Sequence, residues 1–262
     1  MNAPNYRGIF PGLFTMGNVV CGFVALLSVV EGKIVTACWL VILAAFLDSL
    51  DGKVARLSKT TSQFGVELDS LADFLSFGVA PGLIAYMAKL ESLGTPGKII
   101  TIVYIMAAAF RLARFNVMAD SEEKRDFVGL PVPGAALTLV SFVIFSYAQW
   151  GTLQYDEMLV GMLVLFSFLM VSSVQYDTLP DRVHNINDRI KMGVALALVL
   201  VVAVVFIIKA SLLRLLLFPL FSIYILFGMA REGYRLIFLG VNKVTGRAHG
   251  RGDTNEEDDN HE

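Results

Sequence analysis

Long apolar runs separated by short polar connections dominate this chain. Eight such runs, near residues 10–30, 35–56, 66–88, 98–118, 131–150, 157–176, 190–208 and 211–230, have the about 20 residues that a helix needs to cross a roughly 30 Å hydrocarbon core. Connections such as Glu31-Gly32-Lys33 and Lys209-Ala210-Ser211 leave room only for antiparallel helical hairpins. The pattern therefore predicts an all-α, polytopic integral membrane helical bundle with about eight transmembrane helices.

Composition agrees with that reading. Of the 262 residues, 56% are hydrophobic and only 17% charged, with a mean hydropathy of +0.66. A soluble domain of this size carries about a quarter charged residues. The first apolar run follows a single basic residue, Arg7, and has no small-residue cleavage pattern, so it reads as an uncleaved span. Cys21 and Cys38 lie inside apolar runs, where a thiol behaves as a small hydrophobe, and neither is assigned a function. Trp39, Tyr147, Trp150 and Tyr155 fall near span ends, as interfacial anchors do.

Orientation follows from the basic residues, because Lys and Arg in short loops stay on the cytoplasmic side. With the N-terminus inside, only Lys33, Lys89, Lys98, Lys209 and Arg214 of the 21 Lys and Arg fall outside. The same threading puts the loop 57–64 at the cytoplasmic face of what is expected to be a bacterial or archaeal cytoplasmic membrane. The last residues, 246–262, are acidic and almost devoid of apolar side chains, which predicts a disordered cytosolic tail.

Flanking that loop are four aspartates. Asp48 and Asp51 stand in Asp48-Ser49-Leu50-Asp51-Gly52-Lys53-Val54-Ala55-Arg56, and Asp69 and Asp73 stand in Gly65-Val66-Glu67-Leu68-Asp69-Ser70-Leu71-Ala72-Asp73. Each Asp at the centre of a membrane helix costs about 2.5–3.5 kcal/mol, so something cationic must sit among them. Spacings of three and four residues put each pair on one helix face, about 4.5 and 6 Å apart along the axis. Crowded carboxylates share protons or bind hard cations. With no His or Cys nearby, Mg²⁺, Mn²⁺ or Ca²⁺ suits the oxygen donors better than Zn²⁺, and there is room for two ions. Gly52, Ala55 and Gly65 are small enough to let a bulky ligand approach the backbone, though small residues also serve ordinary helix packing. Arg56 reads as a partner for the carboxylates or as a phosphate clamp.

The array D-x-x-D-G-x-x-A-R, eight residues, G-x-x-x-D-x-x-x-D resembles the signature of the CDP-alcohol phosphotransferases, with all eight fixed positions met. The resemblance implies a helical membrane enzyme, a homodimer as a rule, with two divalent cations, Mg²⁺ or Mn²⁺, at a cytoplasmic site. It implies that Asp48, Asp51, Asp69 and Asp73 hold the metals and that Asp73 also takes the proton of the attacking alcohol. It further implies that Gly52, Ala55, Arg56 and Gly65 bed the cytidine and pyrophosphate. Pro11 to Gly22 resembles the family's opening helix, where Thr15 and Asn18 border the nucleotide; hydrogen bonding between helices is the alternative for both.

Arg111-Leu112-Ala113-Arg114-Phe115-Asn116 and Phe127-Val128-Gly129-Leu130-Pro131-Val132-Pro133 resemble the phosphatidylserine synthase branch. That branch implies CDP-diacylglycerol and L-serine as substrates, phosphatidylserine and CMP as products, and Arg111, Arg114 and Asn116 as candidate serine contacts. The arginines also suit positive-inside anchors. Rival readings are another alcohol acceptor, such as glycerol 3-phosphate or an inositol phosphate, and a divalent-cation transporter. Membrane lipids are expected partners and nucleic acid is not. The expected organisation is a catalytic membrane core over 1–208, one helix larger than a minimal six, then a final span and juxtamembrane segment over 209–245, and the tail.

Overall fold

The computed structural model describes residues 9–58, 63–119, 129–172, 214–223 and 225–226, without the side chains of 9–11, 52–58 and 119. These residues form helices and connecting turns only. They comprise α1 (Ile9–Val30), α2 (Ile34–Ser58), α3 (Gln63–Asp73), a π-helical turn (Phe74–Val79), α4 (Ala80–Ala88), α5 (Thr95–Ala119), α6 (Val132–Trp150) and α7 (Asp156–Val171). A further apolar helix covers Arg214–Ile223. Among the described residues, five segments are long and apolar enough to cross a membrane: Gly12–Val30, Ile34–Asp51, Gln63–Ala88, Thr95–Met118 and Val132–Trp150. They coincide with the first five expected spans. The sixth expected span corresponds to α7, which has 16 residues, while the seventh and the acidic tail lie outside the described residues. The chain divides into a unit of Met1–Ser222 and a second of Ile223–Glu262. The expected boundary at 208/209 also lies outside the described residues.

α1 and α2 form the expected hairpin. It closes where Lys33 N–H reaches the Ser28 carbonyl at 2.8 Å and Gly32 N–H reaches Val29 at 2.9 Å, satisfying two end carbonyls of α1. Ala25 and Val29 of α1 and Ala37, Cys38, Val41 and Ala44 of α2 are all fully buried, and the two helices pack extensively on each other. Small side chains bring the backbones close, which is how helices gain packing energy where lipid removes any hydrophobic drive. Leu13, Val20, Phe23, Leu27 and Val30 point outward from α1. Outward apolar residues are what a lipid-facing surface requires.

α3, the π turn and α4 run as one span, Gln63–Ala88. Pro81, near the start of α4, has no N–H, so it cannot serve the carbonyl of Phe77 four residues earlier. Tyr104 on α5 does so instead, its fully buried hydroxyl donating to Phe77 O at 3.1 Å. A polar gap opened in lipid is thereby closed by a neighbouring helix.

α6 occupies the centre. Ala135, Ala136, Leu139, Val140, Phe142, Val143 and Ile144 are all buried, on more than one face of the helix, as the innermost helix of a bundle must be. α2, α4, α7 and the π turn pack around it. Phe218, on the Arg214–Ile223 helix, lies 5.1 Å from the ring of Phe142 and 5.6 Å from that of Phe145. Trp150 stands edge-on to Phe145 and Tyr155, an aromatic cluster at the end of α6 opposite the aspartates. At the same end Lys89 and Asp156 form a partly exposed ion pair between the end of α4 and the start of α7. That contact holds the Asp156 carboxyl below the usual carboxylate range.

Candidate active site

Because successive helices alternate direction, the N-terminal parts of α1 and α3 and the C-terminal parts of α2 and α5 fall at one end of the bundle. This brings the acidic pairs together. One carboxylate oxygen from each of Asp48, Asp69 and Asp73 lies within 4.8 Å of the others, all three side chains being half-buried. Asp48 and Asp73 are within hydrogen-bonding reach of each other. Asp51 is more deeply set, 6% exposed, and faces α1, where the Thr15 hydroxyl donates to its Oδ2.

α1 supplies a second link. Asn18, fully buried, donates from Nδ2 to Asp73 Oδ1 at 3.1 Å. Thr15 and Asn18 are three residues apart, so one face of α1 meets one aspartate from each pair. Both residues therefore make hydrogen bonds between helices, the alternative left open by the sequence, and do so directly to the carboxylates.

The donor set suits a hard cation. All the candidate ligands are oxygens, and Oδ1 of Asp51 and Oδ1 of Asp69 are buried without hydrogen-bond partners among the described residues. A buried carboxylate oxygen left unmatched is costly unless a cation completes it. Asn18 Oδ1 is likewise buried without a partner. The residues present thus fit a divalent cation held by Asp48, Asp69 and Asp73, with Asp51 one turn from Asp48 on the same helix.

Other expected site residues fall around this centre. Gly52, Ala55 and Arg56 continue α2 just beyond Asp51, their side chains lying outside the described set. Gly65 lies in the first turn of α3, one helical turn before Asp69. Arg111 on α5 is 7% exposed, its guanidinium 5.2 Å from the centre of the Phe115 ring and its Nε without a hydrogen-bond partner among the described residues. It lies within electrostatic range of Asp73. Arg114 turns elsewhere, its Nη1 reaching the Val171 carbonyl at the end of α7 at 3.4 Å. Asn116 donates to the Ser70 hydroxyl at 2.9 Å and to Glu67 Oε2 at 3.3 Å, joining α5 to α3.

The Gly129-Leu130-Pro131 segment is docked on the same end of α7. Leu130 N–H reaches Leu169 O at 3.1 Å, and Gly129 has φ +90°, with its missing Cβ position 2.7 Å from Met170 O. Only glycine fits there, for both reasons. Two contacts escape sequence reasoning: Tyr104 to Phe77, and Ser76, whose Oγ donates to the Asn18 carbonyl at 3.0 Å. For the first, Pro81 within an apolar run is a usable signal, since it announces a carbonyl in need of a donor.

Fold and site together define an integral membrane protein with a carboxylate cluster drawn from two helices, α2 and α3, and hydrogen-bonded by a third, α1. The profile of the CDP-alcohol phosphatidyltransferases matches residues 8–171, and the chain belongs to that family of enzymes. It is 36% identical over 197 residues to a CDP-diacylglycerol–serine O-phosphatidyltransferase of Helicobacter pylori J99, covering 74% of this chain and 82% of that protein. A Bacillus subtilis protein of the same name is 34% identical over 167 residues, 63% of this chain and 88% of its own. An archaetidylserine synthase of Methanothermobacter thermautotrophicus is 34% identical over 169 residues, 63% and 68% of the two chains.

Proposed function

We propose that this enzyme transfers the phosphatidyl group of CDP-diacylglycerol to the hydroxyl of L-serine, releasing CMP, at the cytoplasmic end of its spans. The observation that carries the reading is the meeting of Asp48, Asp69 and Asp73 beside Asp51. The names of the similar proteins support serine as the acceptor. Asp48, Asp51, Asp69 and Asp73 would hold two divalent cations, Mg²⁺ or Mn²⁺, whose charge offsets that developing on the phosphate oxygens and on the departing CMP.

The protein's own groups do the rest. Gly52, Ala55 and Gly65 leave space for the cytidine and pyrophosphate close to the backbone, and Arg56 pairs with a phosphate. Asp73, oriented by Asn18, accepts the serine hydroxyl proton. The serine oxygen then bonds to the phosphorus carrying the diacylglycerol, and the bond from that phosphorus to the CMP oxygen breaks. Arg111, buried and with spare donor capacity beside this centre, is placed to pair with the serine carboxylate. A cation transporter is less well supported: it needs acidic sites continuing across the membrane, and Asp51 is the only buried acid among the described residues. Homodimerisation belongs to the same reading by family likeness.

The test is to give the purified protein CDP-diacylglycerol with L-serine, glycerol 3-phosphate, an inositol phosphate or no acceptor, and to measure CMP and the lipid product. Serine-dependent CMP release with phosphatidylserine formation is expected. Release that depends on another alcohol would move the chain to a different acceptor, and no CMP release with any acceptor would remove the transferase reading.

A further inference from the structure

Ser76 lies in the middle of the bundle and belongs to none of the residues that hold metal, nucleotide or serine in the reading above. It is fully buried, in the π turn that begins immediately after Asp73. Its hydroxyl donates to the main-chain carbonyl of Asn18 at 3.0 Å. That carbonyl belongs to a regular helix, so the bond is an addition to the ordinary helical pattern rather than the repair of a gap.

The contact exists because residue 22 is glycine. A Cβ at Gly22 would occupy the place of Ser76 Oγ and would stand 3.1 Å from Ser76 Cα. Gly22 lies one turn after Asn18, so its bare backbone opens the approach to the Asn18 carbonyl and the serine hydroxyl fills the opening. The same Asn18 donates from its side chain to Asp73 Oδ1. One residue of α1 is thus held through its main chain by Ser76 while it holds Asp73 through its side chain.

We infer that Ser76 is a positioning residue for phosphatidyl transfer: seated over Gly22, it fixes the turn of α1 that carries Asn18, and Asn18 fixes the orientation of Asp73. This rests on the reading that Asp73 accepts the acceptor's proton. Catalysis is sensitive to placement on the sub-ångström scale, so loss of the hydroxyl should act on turnover rather than on substrate affinity.

The experiment measures steady-state CMP release by the purified full-length enzyme carrying Ser76→Ala, Asn18→Ala, both changes, or Asp73→Asn, with thermal unfolding followed in parallel. Ser76→Ala should lower kcat about tenfold and leave KM for serine and for CDP-diacylglycerol within about twofold. Added to Asn18→Ala, it should cause no further loss, because its effect passes through Asn18. Gly22→Ala, which displaces the same hydroxyl, provides an independent variant and should lower kcat with the same KM pattern. Wild-type kcat in Ser76→Ala, or losses that multiply in the double variant, would overturn the positioning role. Should Asp73→Asn turn over normally, the proton-accepting role falls and the inference falls with it; an inactive Asp73→Asn beside an unimpaired Ser76→Ala removes only the positioning step.

Discussion

The hydroxyl of Thr15 on α1 donates to Oδ2 of Asp51 on α2, leaving Oδ1 of that carboxylate buried and without a hydrogen-bond partner among the described residues. One oxygen is thus anchored by the protein, and the other is the one available to a cation. Thr15→Val keeps the shape and removes the donor, so Asp51 loses its orientation while its charge remains. We expect kcat to drop by about tenfold, on the scale of about 1–3 kcal/mol for an abandoned buried partner, with Thr15→Ser close to wild type. CMP-release kinetics of the two variants decide the point, and equal rates would sever Thr15 from the site.

Asp51→Asn preserves the Thr15 contact, because the amide oxygen can still accept it, but removes the negative charge. Activity should fall at least about a hundredfold at saturating Mn²⁺, as expected when a ligand of a metal-assisted reaction is neutralised. Circular dichroism and thermal unfolding should show an intact helical protein. Metal binding measured by calorimetry on the same variant should weaken in step with turnover.

Tyr104→Phe addresses the fold rather than the chemistry. It leaves the Phe77 carbonyl, which Pro81 four residues later cannot serve, without the tyrosine hydroxyl. Thermal unfolding in detergent should show a loss of about 1 kcal/mol, in line with hydrogen bonds between helices in membrane bundles. An unchanged melting temperature would mean that water or another group serves that carbonyl.

Arg111 and Arg114, three residues apart on α5, should behave differently. Arg111→Ala is expected to raise KM for serine about tenfold while leaving KM for CDP-diacylglycerol nearly unchanged, the mark of a contact to one substrate. Arg114→Ala should act chiefly on stability, since its guanidinium reaches the end of α7 at Val171. If Arg111→Ala leaves serine KM untouched, the carboxylate is held elsewhere.

Some of this was legible in the chain. Helical spacing is a local property, so Asp48 with Asp51, and Asp69 with Asp73, could be set on common faces from sequence alone. Apolar run length and the short Glu31-Gly32-Lys33 link likewise predicted the first hairpin, because neither depends on distant residues. Even the two roles open to Thr15 and Asn18 could be stated, as polar groups in lipid must find either a ligand or a neighbouring helix.

Choosing between such roles required the tertiary structure. Thr15 lies 36 positions from Asp51 and Asn18 lies 55 positions from Asp73; only the packing of α1 against α2 and α3 makes them neighbours. The same holds for Asn116, which family resemblance groups with Arg111 and Arg114 but whose contacts with Ser70 and Glu67, 46 and 49 positions away, depend on how α5 packs against α3. Nor does periodicity reveal that α6 is the central helix, since in lipid both buried and outward faces are apolar and hydrophobicity no longer separates inside from outside. What the sequence determined by itself was which residues share a helix face. Which faces meet was decided by shape and by the pairing of polar groups across helices, as where bare Gly22 admits the hydroxyl of Ser76.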